Sequence, residues 1–361
     1  GIVFLKNKTF EMNLNTFLPA EWAEQDAVLL AWPHADTDWR DMLDEVVECY
    51  KHIAETILAT EPLIVVTPEV ERAKADLRNI ESASPNPVYY YRVPTNDTWA
   101  RDFGAITVVK DGECVPLDFK FDAWGMKFAA DKDNLITSRL DLYELFKHTP
   151  INHRGFVIEG GSIESDGNGT LMTTSSCLLS PNRNAEMSKD EITAYLKQVF
   201  GVSNVLWINN GEMAGDDTDG HIDTLARFAP NDVILYNGAV CPDGEIPPAF
   251  AEQLNAMEGE IKEFVNASGR KYHLIQLPVP APIYDEDGNQ LPATYANFLI
   301  TNKRVLVPIY NQPLADDLAL RIIEVAFPEH EVVGIDCNAL IKQHGSLHCV
   351  TMQFPKNTLN L

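Results

Sequence analysis

Asp216, Asp217, Asp219, His221 and Asp223 crowd into one stretch of this sequence, GEMAGDDTDGHIDTLARF (Gly211 to Phe228). Far downstream, GSLHCVT (Gly345 to Thr351) offers Cys349 at the end of what reads as a strand. A thiolate attacks carbon, an imidazole moves protons and carboxylates hold a cation. The combination suggests covalent attack on a cationic carbon.

Other stretches carry compatible residues. NDTWARDFG (Asn96 to Gly104) sets Asp97 and Asp102 around Trp99, an anionic, aromatic-walled pocket suited to guanidinium or ammonium. Its plain alternative is a surface turn begun by Asn96 and Asp97. Glu159 opens EGGS, where two glycines let backbone come close to a carboxylate; a bare hairpin feature is the other reading. In DGHID, alternation puts His221 and Asp223 on one face of a strand. An isolated His is more often a hydrogen-bonded loop residue, and an isolated strand Cys a small buried hydrophobe. Cys177, in SSCLL, has no acidic neighbours in sequence and reads as core. No second His stands at metal-ligand spacing from His221, so the acids are not read as a metal site. DEDGN (Asp285 to Asn289) reads as a turn.

The composition narrows the field. With 361 residues, 45% of them hydrophobic, the chain can bury a large core. Its formal net charge of −25 disfavours nucleic acid and suits a cationic substrate. Six Cys without a CxxC pair signal neither a zinc ribbon nor a disulfide framework, and a reducing cytoplasm is expected. No apolar run approaches the ~18 residues of a membrane span. The start is too short and too lightly charged for a signal peptide; Met12 is an alternative start. Residues 1–11 are read as an extension and 12–357 as a single catalytic domain.

What must position these residues is a repeating order of elements: hairpin, helix, strand. FGAITVVKDGECVPLDFKF turns at Asp111-Gly112 and is followed by amphipathic NLITSRLDLYELF. FVIEGGSIESDGNGTLMTT turns near Asp166-Gly167; a helix follows with Ser188 as N-cap and Glu191 completing a capping box, then the strand NVLWI. The order returns twice, in HIDTLARFAPNDVILY to YHLIQL and in ANFLITNKRVLVPIY to EVVGID. LHCVTMQF lacks a local partner; AVLLAW, a helix and LIVVT near the start would complete a fifth unit. Five ββαβ units, closed by the N-terminal segment, make a pseudo-symmetric ring. A doubly wound sheet is the alternative. Asp102, Glu159, His221 with Asp223, and Cys349 fall at matching places in successive units, which a ring would turn toward one axial cavity.

Together the motifs resemble the agmatine deiminase family, the peptidylarginine-deiminase-like group of guanidino-group-modifying enzymes. The matching stretches are FLPAEWAEQDAVLLAWPH, NDTWARDFG, FDAWG, EGGSIESDGNGTLMTTSSCLLSPNRN, DDTDGHIDTLARF, NFLITN and LHCVTMQ, in order from Phe17 to Pro355. The resemblance implies a five-bladed α/β propeller. It implies hydrolysis of agmatine to N-carbamoylputrescine and ammonia, as in putrescine biosynthesis, without metal or organic cofactor. It assigns the nucleophile to Cys349, the general acid/base to His221, and the guanidinium nitrogens to Asp102 and Asp223, with Glu159 in support. Asp217 falls where the family contacts substrate, and Trp99 and Trp124 are candidate walls. The family's common GGGxIHC run is here QHGSLHC, which implies a stiffer approach to the nucleophile and touches the substrate's distal end. Deimination of peptidyl arginine or another guanidino compound, amidino transfer, and non-catalytic polyamine capture are the competing functions. A homodimer is left open.

Overall fold

The computed structural model describes residues 15–361; the extension 1–11 and the alternative start at Met12 lie outside the described residues. The fold is mixed α/β, and its strands are divided among small sheets rather than joined in one doubly wound sheet.

Five of the sheets share one plan: an antiparallel pair, then a helix, then a strand parallel to the second. In the first, Ile106–Lys110 and Glu113–Lys120 pair antiparallel, and Ile151–Val157 runs parallel to the latter. Asp111 and Gly112 turn the hairpin with φ of 51° and 81°, the positive values a tight two-residue turn requires. The second holds Ile163–Ser165, Thr170–Thr174 and Asn204–Ile208. The third holds Ala226–Ala229, Val233–Asn237 and His273–Leu277, and the fourth Leu299–Ile300, Arg304–Ile309 and Glu331–Asp336. In the fifth, Thr351–Pro355 pairs antiparallel with Gln25–Ala31, which runs parallel to Leu63–Thr67. A further parallel strand, Val88–Arg92, follows the helix Val70–Ser82; sequence reasoning missed both.

The connecting helices form for ordinary reasons. Lys189–Phe200 begins with the Ser188–Glu191 capping box, which satisfies two orphan N–H groups. Leu43–Leu58 buries Val46, Tyr50, Ile53, Ala54 and Ile57, a helical stripe laid on the sheet. Truncating such a residue, Ile53 for instance, costs about 2–5 kcal/mol. No described helix is long and apolar enough to cross a membrane, and all six cysteines are unpaired.

Three local expectations are corrected. FVIEGGSIES is not one strand: Ile151–Val157 belongs to the first sheet, and Gly160–Ser162 forms a 3-10 turn before the second hairpin. His221 and Asp223 do not share a strand face; they flank and enter the 3-10 turn Ile222–Thr224, and the strand starts at Ala226. Cys349 lies in the 3-10 turn His348–Val350, ahead of its strand. The N–H groups of His348 and Cys349 bond to Asn297 instead of a sheet neighbour, which is why the strand starts late. These turns hold one position in the plan, at the entry to the first strand of a sheet.

Candidate active site

The short helix Ala100–Phe103 and the turns at Gly160–Ser162, Ile222–Thr224 and His348–Val350 bring Asp102, Glu159, His221, Asp223 and Cys349 into one buried cluster. Gly161 lies at its centre. A Cβ there would stand 2.7 Å from His221 Nδ1, 2.8 Å from Asp102 Oδ1 and 3.0 Å from Asp223 Oδ2, so only glycine fits. Its N–H donates to Asp102 Oδ1 at 3.0 Å, and Trp124 Nε1–H donates to Asp102 Oδ2 at 2.8 Å. Trp124 is presented by an unusual backbone: Ala123, Trp124, Gly125 and Met126 have φ of 56°, 61°, 85° and 65°. Left-handed non-glycine residues cost roughly 1–2 kcal/mol each, and strain of this kind collects at functional sites.

His221 sits between carboxylates. Its Nε2 is 3.0 Å from Glu159 Oε1, and its Nδ1 is 3.7 Å from Asp102 Oδ1. Burial alone would lower its pKa, but Asp102, Cys177 and Glu159 outweigh it and hold the imidazole well above its ordinary value. Burial likewise pushes Glu159 up, yet the bonds from His221 and the Arg183 guanidinium bring it down to about 2. Arg183 grips Glu159 at 2.6 Å and Asp219 at 2.7 Å. Burial, with the Asp223 charge adding, raises Asp102 to about 6 against the pull of His221.

Cys349 Sγ is 3.4 Å from Asn297 Oδ1 and 3.9 Å from Asp223 Oδ2. Burial and the charges of Asp223 and Asp102 push its thiol well above the usual range. Asp223 is fully buried. His348 Nδ1 lies 2.8 Å from its Oδ2, while its Oδ1 has no hydrogen-bond partner. A buried carboxylate oxygen without a donor is costly, and a ligand N–H would satisfy it. Behind it, His348 Nε2 meets Glu21 Oε1 at 2.8 Å, and Glu21 pairs with Arg101 and Arg227. Arg227 also pairs with Glu164 at 2.8 Å and lies 4.2 Å over the Phe298 ring. Both arginines are therefore structural supports.

Cys349 and Asp102 line a cavity of about 270 Å³ with Asp97, Trp99, Trp124 and Asp217. Trp99 packs edge-on against Trp124 at 6.4 Å between ring centroids. Burial and neighbouring Asp38 raise Asp97 to about 7. Asp97 is also a turn residue, since its N–H and that of Asn96 donate to Asp133. In the acidic run, Asp216 accepts from Thr218 and Gly220 and Asp219 pairs with Lys127 and Arg183, so these two hold the loop. DEDGN closes a small hairpin, as expected of a turn. Cys177 is buried in the hydrophobic core, as expected, and its sulfur also lies within 4.8 Å of ligand atoms of Glu159 and His221.

Sequence reasoning missed Asn297, Arg183, Glu21 and His348. Asn297 stands just before the first strand of the fourth sheet, the place its counterparts occupy in the other units. The other three lie within motifs whose partners are distant in sequence.

Two groups hold metal-compatible donors, Glu159–Cys177–His221 and Glu21–Glu164–His348. In each, a guanidinium already fills the cation's place: Arg183 in the first, Arg227 in the second. Activity is therefore expected to survive exhaustive EDTA treatment, and loss on chelation with recovery on adding a divalent ion would contradict this.

Residues 17–355 match the family described as Porphyromonas-type peptidyl-arginine deiminase. The crystal structure of the "Putative Arginine Deiminase" of Porphyromonas gingivalis is 48% identical, with a TM-score of 0.87 over 96% of this chain and 100% of that one. A cysteine-to-serine variant of C. jejuni agmatine deiminase with substrate bound is 36% identical, with a TM-score of 0.84 over 94% and 96%. A "Putative agmatine deiminase" of Shewanella sp. (strain W3-18-1) is 35% identical over 94% of each chain.

Proposed function

This chain belongs to the Porphyromonas-type peptidyl-arginine deiminase family of guanidino-group-modifying hydrolases, and from that premise we propose that it hydrolyses agmatine to N-carbamoylputrescine and ammonia. One observation carries the choice of substrate. The cavity shared by Cys349 and Asp102 is lined by Asp36, Asp38, Asp97, Asp133 and Asp217, and among the described residues lining it none is Lys or Arg. Such a pocket favours a dication with an ammonium at its far end.

In this reading the five sheets are the blades of a closed ring, 12–357 is one catalytic domain, and the reaction runs in the cytoplasm. Asp102 and Asp223 hold the guanidinium nitrogens, Asp223 through its free Oδ1. Trp99 and Trp124 flank the aliphatic chain, and Asp217 faces its distal part. The guanidinium is a poor electrophile because its charge is spread over three nitrogens; two fixed carboxylates favour localising that charge as the carbon becomes tetrahedral. The substrate's charge beside Cys349 offsets the acids that hold its thiol protonated.

As the cation binds, the Cys349 thiol loses its proton to solvent, and the thiolate attacks the guanidinium carbon to form a C–S bond. His221, kept protonated by Asp102 and Glu159, gives a proton to the departing nitrogen, and the C–N bond breaks to release ammonia. The neutral imidazole then takes a proton from water as its oxygen attacks the amidino carbon. The C–S bond breaks, returning the thiolate and leaving the carbamoyl product. Of the two protons of water, one restores His221 and the other passes to solvent, where the ammonia released earlier takes one up as ammonium.

Free arginine would bring a carboxylate among these acids. Repulsion of a partly desolvated like charge costs several kcal/mol, so about 100-fold or greater preference for agmatine in kcat/KM is expected. Ammonia release from agmatine, free arginine and a peptidyl arginine, with product masses, tests it. Comparable kcat/KM for agmatine and arginine would remove the agmatine assignment and spare the mechanism. Efficient citrullination of the peptide would favour the peptidyl-arginine reading.

A further inference from the structure

Gln343 and His344, just ahead of the nucleophile turn, line the same cavity as Cys349, and each reaches sideways to a different loop. Gln343 Nε2–H donates to the backbone carbonyl of Asp38 at 3.0 Å. His344 Nδ1 lies 2.9 Å from the carbonyl oxygen of Gly215, so this nitrogen carries the proton. One loop thus ties together loops 36–38 and 213–219, both of which also line the cavity through Asp36, Asp38 and Asp217. Lys127 Nζ fastens the second loop again, donating to the backbone oxygen of Asp217 at 2.6 Å.

Two features fix the clasp in place. His344 has φ of 66°, a left-handed conformation that disfavours a residue with a β-carbon, and its bond to Gly215 helps hold it there. Gly345 is packed so closely that a Cβ would stand 2.1 Å from the Trp99 ring, so the loop is seated directly on the aromatic wall.

We propose that the Gln343–His344 clasp determines substrate class: it admits a slender free guanidinoalkylamine and refuses arginine embedded in a peptide. The inference rests on the deiminase reading given above. At the depth where the guanidinium meets Asp102 and Cys349, an alkylamine places only methylenes and an ammonium between the tied loops. Peptidyl arginine places a branched Cα there, with main chain leaving in two directions. Passage of that chain requires the bond to Asp38 or the bond to Gly215 to break. The carboxylates beside the clasp solvate an ammonium and offer nothing to a peptide carbonyl, which is itself an acceptor.

The double variant Q343G/H344G removes both bonds, and glycine is at ease at the φ of position 344, so the backbone is not strained by the change. Thermal melting checks that the variant is folded, and the single variant H344G serves if the double variant is not. Ammonia release is measured with agmatine and with an N-acylated arginine amide. The ratio of kcat/KM for the blocked arginine over agmatine is expected to rise by about tenfold or more, the scale of relieved steric exclusion in a pocket. Calorimetric binding of the same two compounds, in a Cys349→Ser background, reads the clasp without turnover. An unchanged binding ratio overturns the clasp, as does wild-type protein that takes the blocked arginine as readily as agmatine. Absence of turnover on every guanidino compound, with the binding ratio shifted, overturns the deiminase reading and leaves the clasp supported.

Discussion

Cys349→Ser is expected to bind agmatine and not turn it over. The serine hydroxyl fills nearly the same volume and can donate to Asn297 Oδ1, which already accepts from the thiol at 3.4 Å, so the turn His348–Val350 has no reason to rearrange. Ionisation is what changes. The thiol is already pushed up by burial, Asp223 and Asp102, and an alcohol in the same acidic surroundings is far harder to ionise. No other thiol can substitute: Cys177 is fully buried beside Glu159 and His221 and does not line the substrate cavity. Turnover should fall by on the order of 10⁴-fold or more, as when a covalent nucleophile is removed. Calorimetry with agmatine measures the retained binding, and near-normal ammonia release from the variant would remove Cys349 from the mechanism.

The second large effect is expected at the paired carboxylates. Asp223→Asn can keep one oxygen toward His348 Nδ1, and its amide N–H then replaces the unpartnered Oδ1. A donor would face the donors of a guanidinium, so an attraction becomes a clash of like groups. The loss should be about 3 kcal/mol of transition-state stabilisation, roughly 10²- to 10³-fold in kcat/KM. Asp102→Asn should lose a similar amount, and it carries a pH signature. Burial, with Asp223 adding, pushes Asp102 up to about 6, and in the proposed mechanism only its ionised form receives the guanidinium. In wild-type protein kcat/KM should therefore decline as pH falls through about 6. Asp102→Asn should lack that limb. Either variant retaining wild-type kcat/KM makes its residue structural, and an acid limb unmoved in Asp102→Asn assigns it elsewhere.

The repeat was legible because hairpin turns and caps are local. Asp111-Gly112 and Ser188–Glu191 are set by neighbouring residues, and the hairpins of the first four units could be read that way; the closing strand of the first, Ile151–Val157, was placed in the second hairpin instead, and the fifth pair joins the two ends of the chain. The strand Val88–Arg92 was not, because VYYYR shows no alternation and pairs with a strand already assigned. The ends of strands were misread for a related reason. The spacing in DGHID fits a strand, yet His221 and Asp223 lie in a turn whose shape is imposed by distant groups: Gly161, Glu159 and His348. The charged side chains visible in sequence came together. Those that hold them, Arg183 and Glu21, carry no local signal, because only the fold brings them to their partners. Asn297 could have been found by extending the repeat, as its position mirrors that of Cys349.

The pairing of Thr351–Pro355 with Gln25–Ala31 has a consequence for how this protein comes into being. Glu21 and His348, which touch in the finished structure, are 327 positions apart in sequence. As the chain leaves the ribosome, Asp102, Glu159, His221 and Asp223 are all made before the thiol they surround. A nascent chain at that stage has the acids without the thiol, and its strand Gln25–Ala31 has one edge without its antiparallel neighbour. Contacts of such long range form slowly, because their loop-closure entropy must be met before they give anything back. Under the proposed mechanism the site is therefore completed in one event, when the strand behind Cys349 docks.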